Sequence, residues 1–331
     1  MTNATLPKLS QEKPAPTSGI TNPALAQQLL DAFDALFGLH PGFRPAHAKG
    51  LMCSGTFSPS PEAAMLTRAP HASSPSTPVT VRYSNSTGLP NIPDNDPGRS
   101  GPRGMAIRFH LGEHIHTDII AQSTDGFPVR TGEEFLEFLR AAAAFGAGQP
   151  QPMGSFLATH PKAKRFVEAP KPIPRSFTRE AFFAVTSFKF TNANGVSRHG
   201  RFRIRPDAGT EYLSNEEAAS KSENFLFDEM GKRLAKGPVK LGVVVQMAES
   251  GDDVADASVT WPESRTEIPF GTILLAARVD DQAPERRKII FDPLPRIDGI
   301  DSSGDPLTET RADLYLLSGR RRRAASGERK H

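Results

Sequence analysis

The apolar residues near the start of the chain recur at helical spacing. Asn22-Pro23 is a typical helix start, and Gly38 is a typical helix end. Between them, the residues that share one helical face are Leu25, Leu29, Phe33 and Leu36. The pattern predicts an amphipathic helix that leads the chain into the segment from Phe43 to Gly55.

Much of the remaining chain alternates short β-rich runs with turn residues. The predicted strands are Val79 to Tyr83, Gly104 to Phe109, Asp118 to Ala121, Lys240 to Met247, Ala257 to Trp261, Thr272 to Arg278 and Lys288 to Phe291. A hairpin is predicted from Ala181 to Thr191 and Ser197 to Arg205, because Asn194-Gly195 between them favours a tight turn.

Two further stretches have helical spacing. Glu133 to Phe145 is predicted as a helix from its apolar positions. The sequence from Ser214 to Glu217 is a capping box, and it predicts the start of a helix that ends before Gly237. Many antiparallel strands with helices inserted between them predict an α+β protein built on a closed or strongly curved antiparallel β sheet.

The composition is that of a globular chain. Hydrophobic residues make up 37% of the 331 residues, and 27 Gly and 30 Pro interrupt the pattern, so long helices cannot dominate. A chain of this length can bury a sizeable core and a small cofactor. Cys53 is the only cysteine, which excludes an intrachain disulfide framework and a cysteine-rich metal centre.

Both ends of the chain are polar. Residues 1–20 predict a disordered lead without a secretory signal, so we expect a cytoplasmic protein. No run of about 18 apolar residues occurs, so no membrane partner is expected. The run from Arg320 to Arg323 and the basic tail 324–331 predict a solvated end. No aromatic platform accompanies them, so no nucleic-acid partner is expected; a homo-oligomer is compatible with the sequence.

Three side chains are candidates for redox chemistry. Two-electron reduction of a peroxide needs a redox metal and a base that takes up and returns the peroxide proton, a need that haem iron beside a histidine meets. His47 is the candidate acid/base, because imidazole exchanges protons near neutral pH. Tyr315 is the candidate iron ligand as the phenolate, and Arg311, one helical turn earlier, is placed to stabilise that anion. Taken alone, His47 is better explained as an ordinary histidine at a helix-to-strand junction, and Arg311 and Tyr315 as a common surface pair on a helix.

A haem also carries two propionates, which need cationic partners at one edge of a pocket. Arg44, Arg82 and Arg322 come from separate segments and would have to converge in the fold. With 40 Lys and Arg in the chain, ordinary surface charge is the alternative explanation.

Ordered motifs along the chain resemble those of the haem catalases. Arg44-x-x-His47-Ala48-Lys49-Gly50 is similar to the distal histidine motif of that family, and Arg311-x-x-x-Tyr315 is similar to its proximal motif. Between them, in family order, are Val81-Arg82-Tyr83-Ser84, Gly101 to Phe109, Asp118-Ile119-Ile120, Phe188 to Gly195, Val259 to Pro262 and Phe291-Asp292-Pro293. The specificity of the resemblance lies in this ordered set.

The resemblance implies a catalase-like antiparallel β-barrel with inserted and flanking helices over residues 21–323. It implies that His47 is the distal acid/base, oriented by Ser84, and that Tyr315 is the iron ligand with Arg311 as its charge partner. By the same resemblance, the propionates would be bound by Arg44, Arg82 and Arg322, and Phe135 would pack beside the haem on its distal side. The implied cofactor is haem, with iron protoporphyrin expected.

The chain also departs from the family pattern. Gln122 stands where the family has a distal asparagine, and an alignment shifted by one residue would place Ser123 there. The chain ends soon after Tyr315, where full catalases continue into further segments. These departures predict a minimal haem domain of the short, catalase-related peroxidase branch. Its implied substrates are hydrogen peroxide or organic hydroperoxides and a small organic electron donor, with weak catalase activity.

Two alternatives remain at this point. A hydroperoxide lyase or synthase of the allene oxide synthase type would use a similar haem core. The second alternative is a protein that binds haem or a metal ion without catalysing a reaction. His110, His114 and His116 could hold zinc or copper at a strand end.

Overall fold

The computed structural model describes residues 19–96, 101–279 and 288–327. Its helices are α1 Pro23–Phe37, α2 Pro61–Leu66, α3 Gly132–Gly146, α4 Gln151–Thr159, α5 Pro161–Glu168, α6 Asn215–Ala219, α7 Phe225–Lys236 and α8 Pro306–Gly327. Its strands are β1 Gly50–Pro59, β2 Thr77–Asn85, β3 Arg103–Gly112, β4 Ile115–Gln122, β5 Phe182–Phe183, β6 Phe188–Thr191, β7 Ser197–Pro206, β8 Val239–Met247, β9 Glu267–Val279 and β10 Ile300–Ser302. Residues 1–18 of the predicted lead and 328–331 of the predicted tail lie outside the described ranges.

The strands form a closed antiparallel barrel. The sheet order runs β7-β5-β4-β3-β2-β1-β9-β8, and β8 pairs with β7 to complete the ring. Strands β6 and β10 extend from β7 beside the barrel. Because the sheet is closed, each strand of the ring has a hydrogen-bonded neighbour on both sides, and the ring has no open edge. The α+β fold with a closed antiparallel sheet is therefore confirmed.

Side chains fill the inside of the barrel. Val81 and Tyr83 of β2 point inwards and are fully buried, and the aromatic rings of Phe57, Phe109 and Phe270 pack against one another there. Because side chains alternate along a strand, Arg82 and Ser84 point to the outer face. A ligand of any size must therefore bind outside the barrel.

Three helices cover part of that outer face. Helix α1 begins at the predicted position, where Asn22 Oδ1 accepts a hydrogen bond from the Leu25 N–H, and it ends at Gly38 in the left-handed region. The apolar faces of α1, α3 and α8 share one core, with Leu29, Phe135 and Leu314 among its members. The ion pair between Arg321 and Asp34 joins α8 to α1. Arg321 and Arg322 are thus part of a packed helix, whereas Arg320 and Arg323 are exposed, as predicted for a solvated end.

Two predicted strands are wrong. Residues 257–261 and 288–291 form no strand, although both runs are apolar. Arginine side chains supply the hydrogen bonds that a neighbouring strand would otherwise give. Arg201 donates to Asp256 O and Val259 O, and the carbonyls of Ile289 and Ile290 accept from arginines in the same way.

Two other predictions are correct only in part. The run from Ala181 to Thr191 is divided into β5 and β6 by residues 184–187, which leave the sheet. The capping box at Ser214 is present, but it begins the short helix α6, and α7 starts separately at Phe225. Within the described residues, no helix has the length and apolar character that crossing a membrane requires.

Candidate active site

The register of the barrel brings residues from distant parts of the chain side by side. Ser84 of β2 lies opposite Gly104 of β3, which in turn lies opposite Gln122 of β4. Arg82 lies in the next row of the same face, opposite Ala106. Small residues at these two β3 positions leave room above the sheet.

A cavity occupies that room, between the outer face of the barrel and helices α1, α3 and α8. It contains about 1100 Å³ of space that protein atoms do not fill, part of it continuous with solvent. All the site residues predicted from the sequence line it: Arg44, His47, Arg82, Ser84, Gln122, Phe135, Arg311, Tyr315 and Arg322.

His47 lies in the connection between α1 and β1, with its backbone in the left-handed region at φ 56°. Its N–H donates to Ser86 O, and its Nδ1 lies 3.0 Å from Ser84 Oγ. Burial, with the positive charges of Arg82, Arg311 and Arg44, lowers the pKa of His47 from 6.5 to about 3. The imidazole is therefore neutral near pH 7, and a proton on Nδ1 directed at Ser84 leaves the Nε2 lone pair available as a base.

Two glycines make this arrangement sterically feasible. A Cβ on Gly104 would lie 2.5 Å from His47 Nδ1 and 2.7 Å from Ser84 Oγ. A Cβ on Gly50 would lie 2.1 Å from Arg82 Nη2. Both positions need a residue without a side chain so that the imidazole and the guanidinium can lie against the sheet.

Tyr315 lies on α8, on the face that lines the cavity. Arg311 is four residues earlier, and its Nε and Nη2 both donate to Tyr315 Oη at 3.3 Å. The same guanidinium donates through Nη1 to Thr186 Oγ1 at 3.2 Å. Charge-assisted hydrogen bonds of this kind stabilise negative charge on an oxygen. The oxygen of Tyr315 is thus suited to ligate a metal ion as the phenolate.

The three predicted propionate ligands do converge on this cavity. Arg44 and Arg322 both donate to Ile289 O, at 3.1 and 3.3 Å, and Arg82 donates to Ala48 O at 3.3 Å. Burial and the charge of Arg82 lower the pKa of Arg322 to about 10. Guanidinium groups grouped in this way match the carboxylates of an anionic ligand.

Gln122, not Ser123, lines the cavity at the end of β4. The Gln122 amide Nε2 donates to Gly126 O at 2.6 Å, within its own turn. Ser123 Oγ instead accepts a hydrogen bond from the Arg103 N–H on the neighbouring strand. Phe135 of α3 also lines the cavity and packs edge-on against Phe33 of α1.

Sequence reasoning missed several lining or supporting residues. Thr186, which holds Arg311, falls within a run predicted as continuous strand. Ile290 and Phe291 line the cavity from another run predicted as strand, and Ile290 packs against Gly319 of α8. Phe127 lies under the guanidinium of Arg311. The spacing of residues 311, 315 and 322 places them on one face of α8, but no local sequence pattern indicated the residues that were missed.

The structure does not support a metal site among the three histidines of the β3–β4 hairpin. His110 lies opposite His116 across the strands, and its Nε2 is 2.9 Å from Thr80 Oγ1. His114 is exposed in the turn. In residues 19–96, 101–279 and 288–327, no group of three or more His, Cys, Asp or Glu side chains is placed to hold a metal ion.

The residues present do fit a haem. Tyr315, backed by Arg311, supplies an anionic oxygen ligand from α8. His47 lies on the barrel side of the cavity with a neutral imidazole, and apolar side chains including Val185, Phe291 and Leu314 line the space between. Arg44, Arg82 and Arg322 supply cations for the propionates. This donor set matches a flat apolar ligand that carries an oxygen-seeking iron and two carboxylates.

Comparisons with known proteins agree with this geometry. A family model described as Catalase matches residues 42–328. A catalase-related peroxidase of Mycolicibacterium paratuberculosis is 33% identical over 294 residues, which cover 88% of this chain and 92% of that protein. A catalase-related peroxidase of Synechococcus elongatus is 29% identical over 297 residues and is covered over 86% of its length.

Solved catalases share the fold. A fungal catalase superposes with a TM-score of 0.75 at 20% identity, and catalase A from Saccharomyces cerevisiae with a TM-score of 0.74 at 21% identity; each covers 85% of this chain. The chain spans 59% and 61% of their respective lengths. Because the Catalase family model matches most of its length, the chain belongs to the catalase family.

Proposed function

We propose that this protein is a haem-dependent peroxidase that reduces hydrogen peroxide or organic hydroperoxides with a small organic electron donor. Membership of the catalase family assigns it to the oxidoreductases that act on peroxides. The observation that carries the proposal is the meeting of His47 with the Arg311–Tyr315 pair in one cavity. Two relatives that match most of the chain bear the name catalase-related peroxidase, which supports the same reading.

Haem, when bound, supplies the two electrons that break the O–O bond. Tyr315 would hold the iron, Arg44, Arg82 and Arg322 would hold the propionates, and His47 lines the same cavity. Arg311, which donates twice to Tyr315 Oη, would stabilise the charge of that oxygen as a ligand. A phenolate ligand favours the ferric and higher oxidation states that peroxide reduction uses.

His47 is the acid/base that transfers the peroxide proton. Its neutral Nε2 takes the proton from the peroxide, and the resulting imidazolium returns it to the oxygen that leaves as water or alcohol. Ser84 Oγ lies 3.0 Å from Nδ1, and by accepting from Nδ1–H it would keep Nε2 free for this task. The low pKa of His47 makes the imidazolium a strong acid, so the return of the proton is favourable.

The donor preference rests on Gln122. Dismutation by a catalase uses a second peroxide as the reductant, and this peroxide must be positioned beside the distal histidine. Because one N–H of the Gln122 amide donates to Gly126 O, the amide is restrained by its own turn and is less free to orient a second peroxide. We therefore expect donor oxidation to exceed oxygen evolution.

The test begins with the absorption spectrum of the protein produced with a haem supply. We expect a ferric spectrum with phenolate ligation that is lost in Tyr315→Phe, whereas Tyr212→Phe, at a half-exposed tyrosine outside the cavity, should keep it. His47→Ala should retain haem and lose peroxide cleavage by about 10²- to 10⁴-fold. A protein that binds no haem would overturn the proposal. Rearranged lipid hydroperoxide products formed without a donor would instead identify a hydroperoxide lyase or synthase.

A further inference from the structure

Asp94 is a fully buried carboxylate that does not line the cavity. Its Oδ1 accepts hydrogen bonds from Lys49 Nζ and Asn85 Nδ2, both at 2.9 Å. Its Oδ2 accepts from the Leu226 N–H at 3.2 Å, in the first turn of α7. Its backbone oxygen accepts from Arg103 Nη2 at 3.1 Å. One residue thus joins a lysine, an asparagine, an arginine and a helix end.

The three side chains that Asp94 joins are close in sequence to His47 or to a residue packed against it. Lys49 follows His47 by two positions, Asn85 follows Ser84, and Arg103 precedes Gly104. The Asn85 N–H donates to Lys49 O at 3.1 Å, and Asn85 Oδ1 accepts from Arg103 Nη1, so the three segments are also joined to one another. A displacement at Asp94 would therefore reach His47 from three sides.

His47 needs such support because of its backbone. A residue other than glycine in the left-handed region costs about 1 kcal/mol or more, and it stays there only where its surroundings fix it. The backbone N–H groups of His47 and Ala48 donate to Ser86 O and Thr87 O, in the segment that runs from Asn85 to Asp94. The position of that segment depends on Asp94, since Asp94 is its buried anchor to Lys49, Arg103 and α7.

We propose that Asp94 is a positioning residue for peroxide cleavage. Through Lys49, Asn85 and Arg103 it holds His47 in the left-handed conformation that places Nδ1 against Ser84 Oγ. It contacts neither the substrate nor the cofactor. The inference rests on the proposed role of His47, but the position of the imidazole can be measured without any reaction.

The experiment compares Asp94→Ala with Asp252→Asn. Asp252 is also a nearly buried carboxylate that binds an arginine, Arg265, but it lies in a loop outside the cavity. In haem-free protein, the ¹H–¹⁵N side-chain NMR signal of His47, assigned by its absence in His47→Gln, reports the Nδ1–H hydrogen bond. In haem-loaded protein, rapid mixing with peroxide measures the rate of peroxide cleavage. The same experiment with excess electron donor measures the rate of the later reduction.

We expect Asp94→Ala to lose the hydrogen-bonded Nδ1–H signal and to slow peroxide cleavage by about tenfold or more, with the haem spectrum and the donor step unchanged. Asp252→Asn should change the melting temperature alone. A variant Asp94→Ala that melts at a lower temperature but keeps both the signal and the cleavage rate would overturn the proposal.

If Asp94→Ala does not fold, Lys49→Met tests the same role of Asp94. Methionine keeps an apolar side chain of similar length and removes the ammonium, which donates to Asp94 Oδ1, Ile92 O and Glu223 O and lies over the ring of Phe227. We expect the same two changes, in smaller degree, and their absence would equally overturn the role of Asp94. If His47→Gln itself still cleaves peroxide at the wild-type rate, the acid/base role of His47 fails, whereas the NMR result on Asp94 stands on its own.

Discussion

His47 Nδ1 and Ser84 Oγ lie 3.0 Å apart, and this contact joins the α1–β1 connection to the end of β2. The serine hydroxyl holds the imidazole in place, and when it accepts from Nδ1–H it leaves Nε2 unprotonated. We expect Ser84→Ala to bind haem normally and to cleave peroxide roughly tenfold or more slowly. Rapid mixing of the haem-loaded variant with peroxide measures this rate.

A buried serine elsewhere in the fold serves as the control for Ser84. Ser176 is equally buried and hydrogen-bonded, to Thr178 and Glu229, but it does not line the cavity. Ser176→Ala should lower stability without changing the cleavage rate. Equal rates in Ser84→Ala and wild type would show that the imidazole tautomer is fixed by other means.

Gly104 lies directly beneath the imidazole. An added Cβ would lie 2.5 Å from His47 Nδ1, so Gly104→Ala must displace the ring. We expect a loss of about 1 to 3 kcal/mol in the free energy of unfolding, together with slower peroxide cleavage. Chemical denaturation and peroxide kinetics measure the two effects.

Gly154→Ala is the matched control for Gly104. This position is inside helix α4, and an added Cβ there would meet no atom within 4 Å. Alanine should stabilise the helix by roughly 0.5 to 1 kcal/mol and leave the kinetics unchanged. If Gly104→Ala behaved in the same way, the close packing of His47 on β3 would be refuted.

The sequence located the candidate site better than it located the strands. Every residue proposed from the family resemblance lines one cavity, because ordered motifs carry information about the fold that no single residue carries. His47 alone, or the Arg311–Tyr315 spacing alone, is equally consistent with ordinary surface or core positions. The convergence of Arg44, Arg82 and Arg322 depends on contacts between segments far apart in sequence.

The errors in the strand prediction share one physical cause. Hydrophobic periodicity predicts which faces are buried, but not which partner satisfies the main-chain oxygens. At residues 257–261 and 288–291 these partners are the guanidinium groups of Arg201, Arg44 and Arg322, so no neighbouring strand is needed. Between β5 and β6, Thr186 accepts a hydrogen bond from Arg311. The local sequence does not reveal this contact.

Arg311 can be tested separately from Tyr315. Its two donations to Tyr315 Oη and one to Thr186 Oγ1 need the fork of a guanidinium, which a lysine cannot reproduce. We expect Arg311→Lys to weaken haem binding by about ten- to hundred-fold, the usual cost of losing a group that supports a metal ligand. Absorbance titration of the haem-free protein with ferric haem measures the affinity. Arg265→Lys, at an arginine paired with Asp252 outside the cavity, should bind haem like the wild type.

The acid stability of the barrel depends partly on His71. This histidine is buried among Phe57, Phe109 and Phe270, and burial lowers its pKa from 6.5 to about 4. Between these two pH values the unfolded chain binds a proton that the folded chain does not, so stability is present above pH 6.5 and falls as the pH decreases towards 4. The loss from this group amounts to roughly 3 kcal/mol.

Denaturation curves at pH 7 and pH 4 test the contribution of His71. We expect His71→Leu to lose less stability between these pH values than the wild type, whatever its stability at pH 7. His114→Leu, at a histidine that is exposed in the β3–β4 turn, should follow the wild-type pH dependence. Parallel pH dependences for His71→Leu and wild type would mean that the imidazole at position 71 is protonated in the folded state as readily as in the unfolded chain.

Gln122 provides the test of donor preference. Its amide reaches Gly126 O at 2.6 Å, and the shorter side chain of Gln122→Asn should lose that contact and turn its N–H groups towards His47. We expect the ratio of oxygen evolution to donor oxidation to rise by about tenfold, because roughly 1.4 kcal/mol of added stabilisation for a second peroxide gives that factor. Ser123→Ala changes a side chain that points to Arg103 and should keep the wild-type ratio. An unchanged ratio in Gln122→Asn would show that the distal amide does not control the choice of reductant.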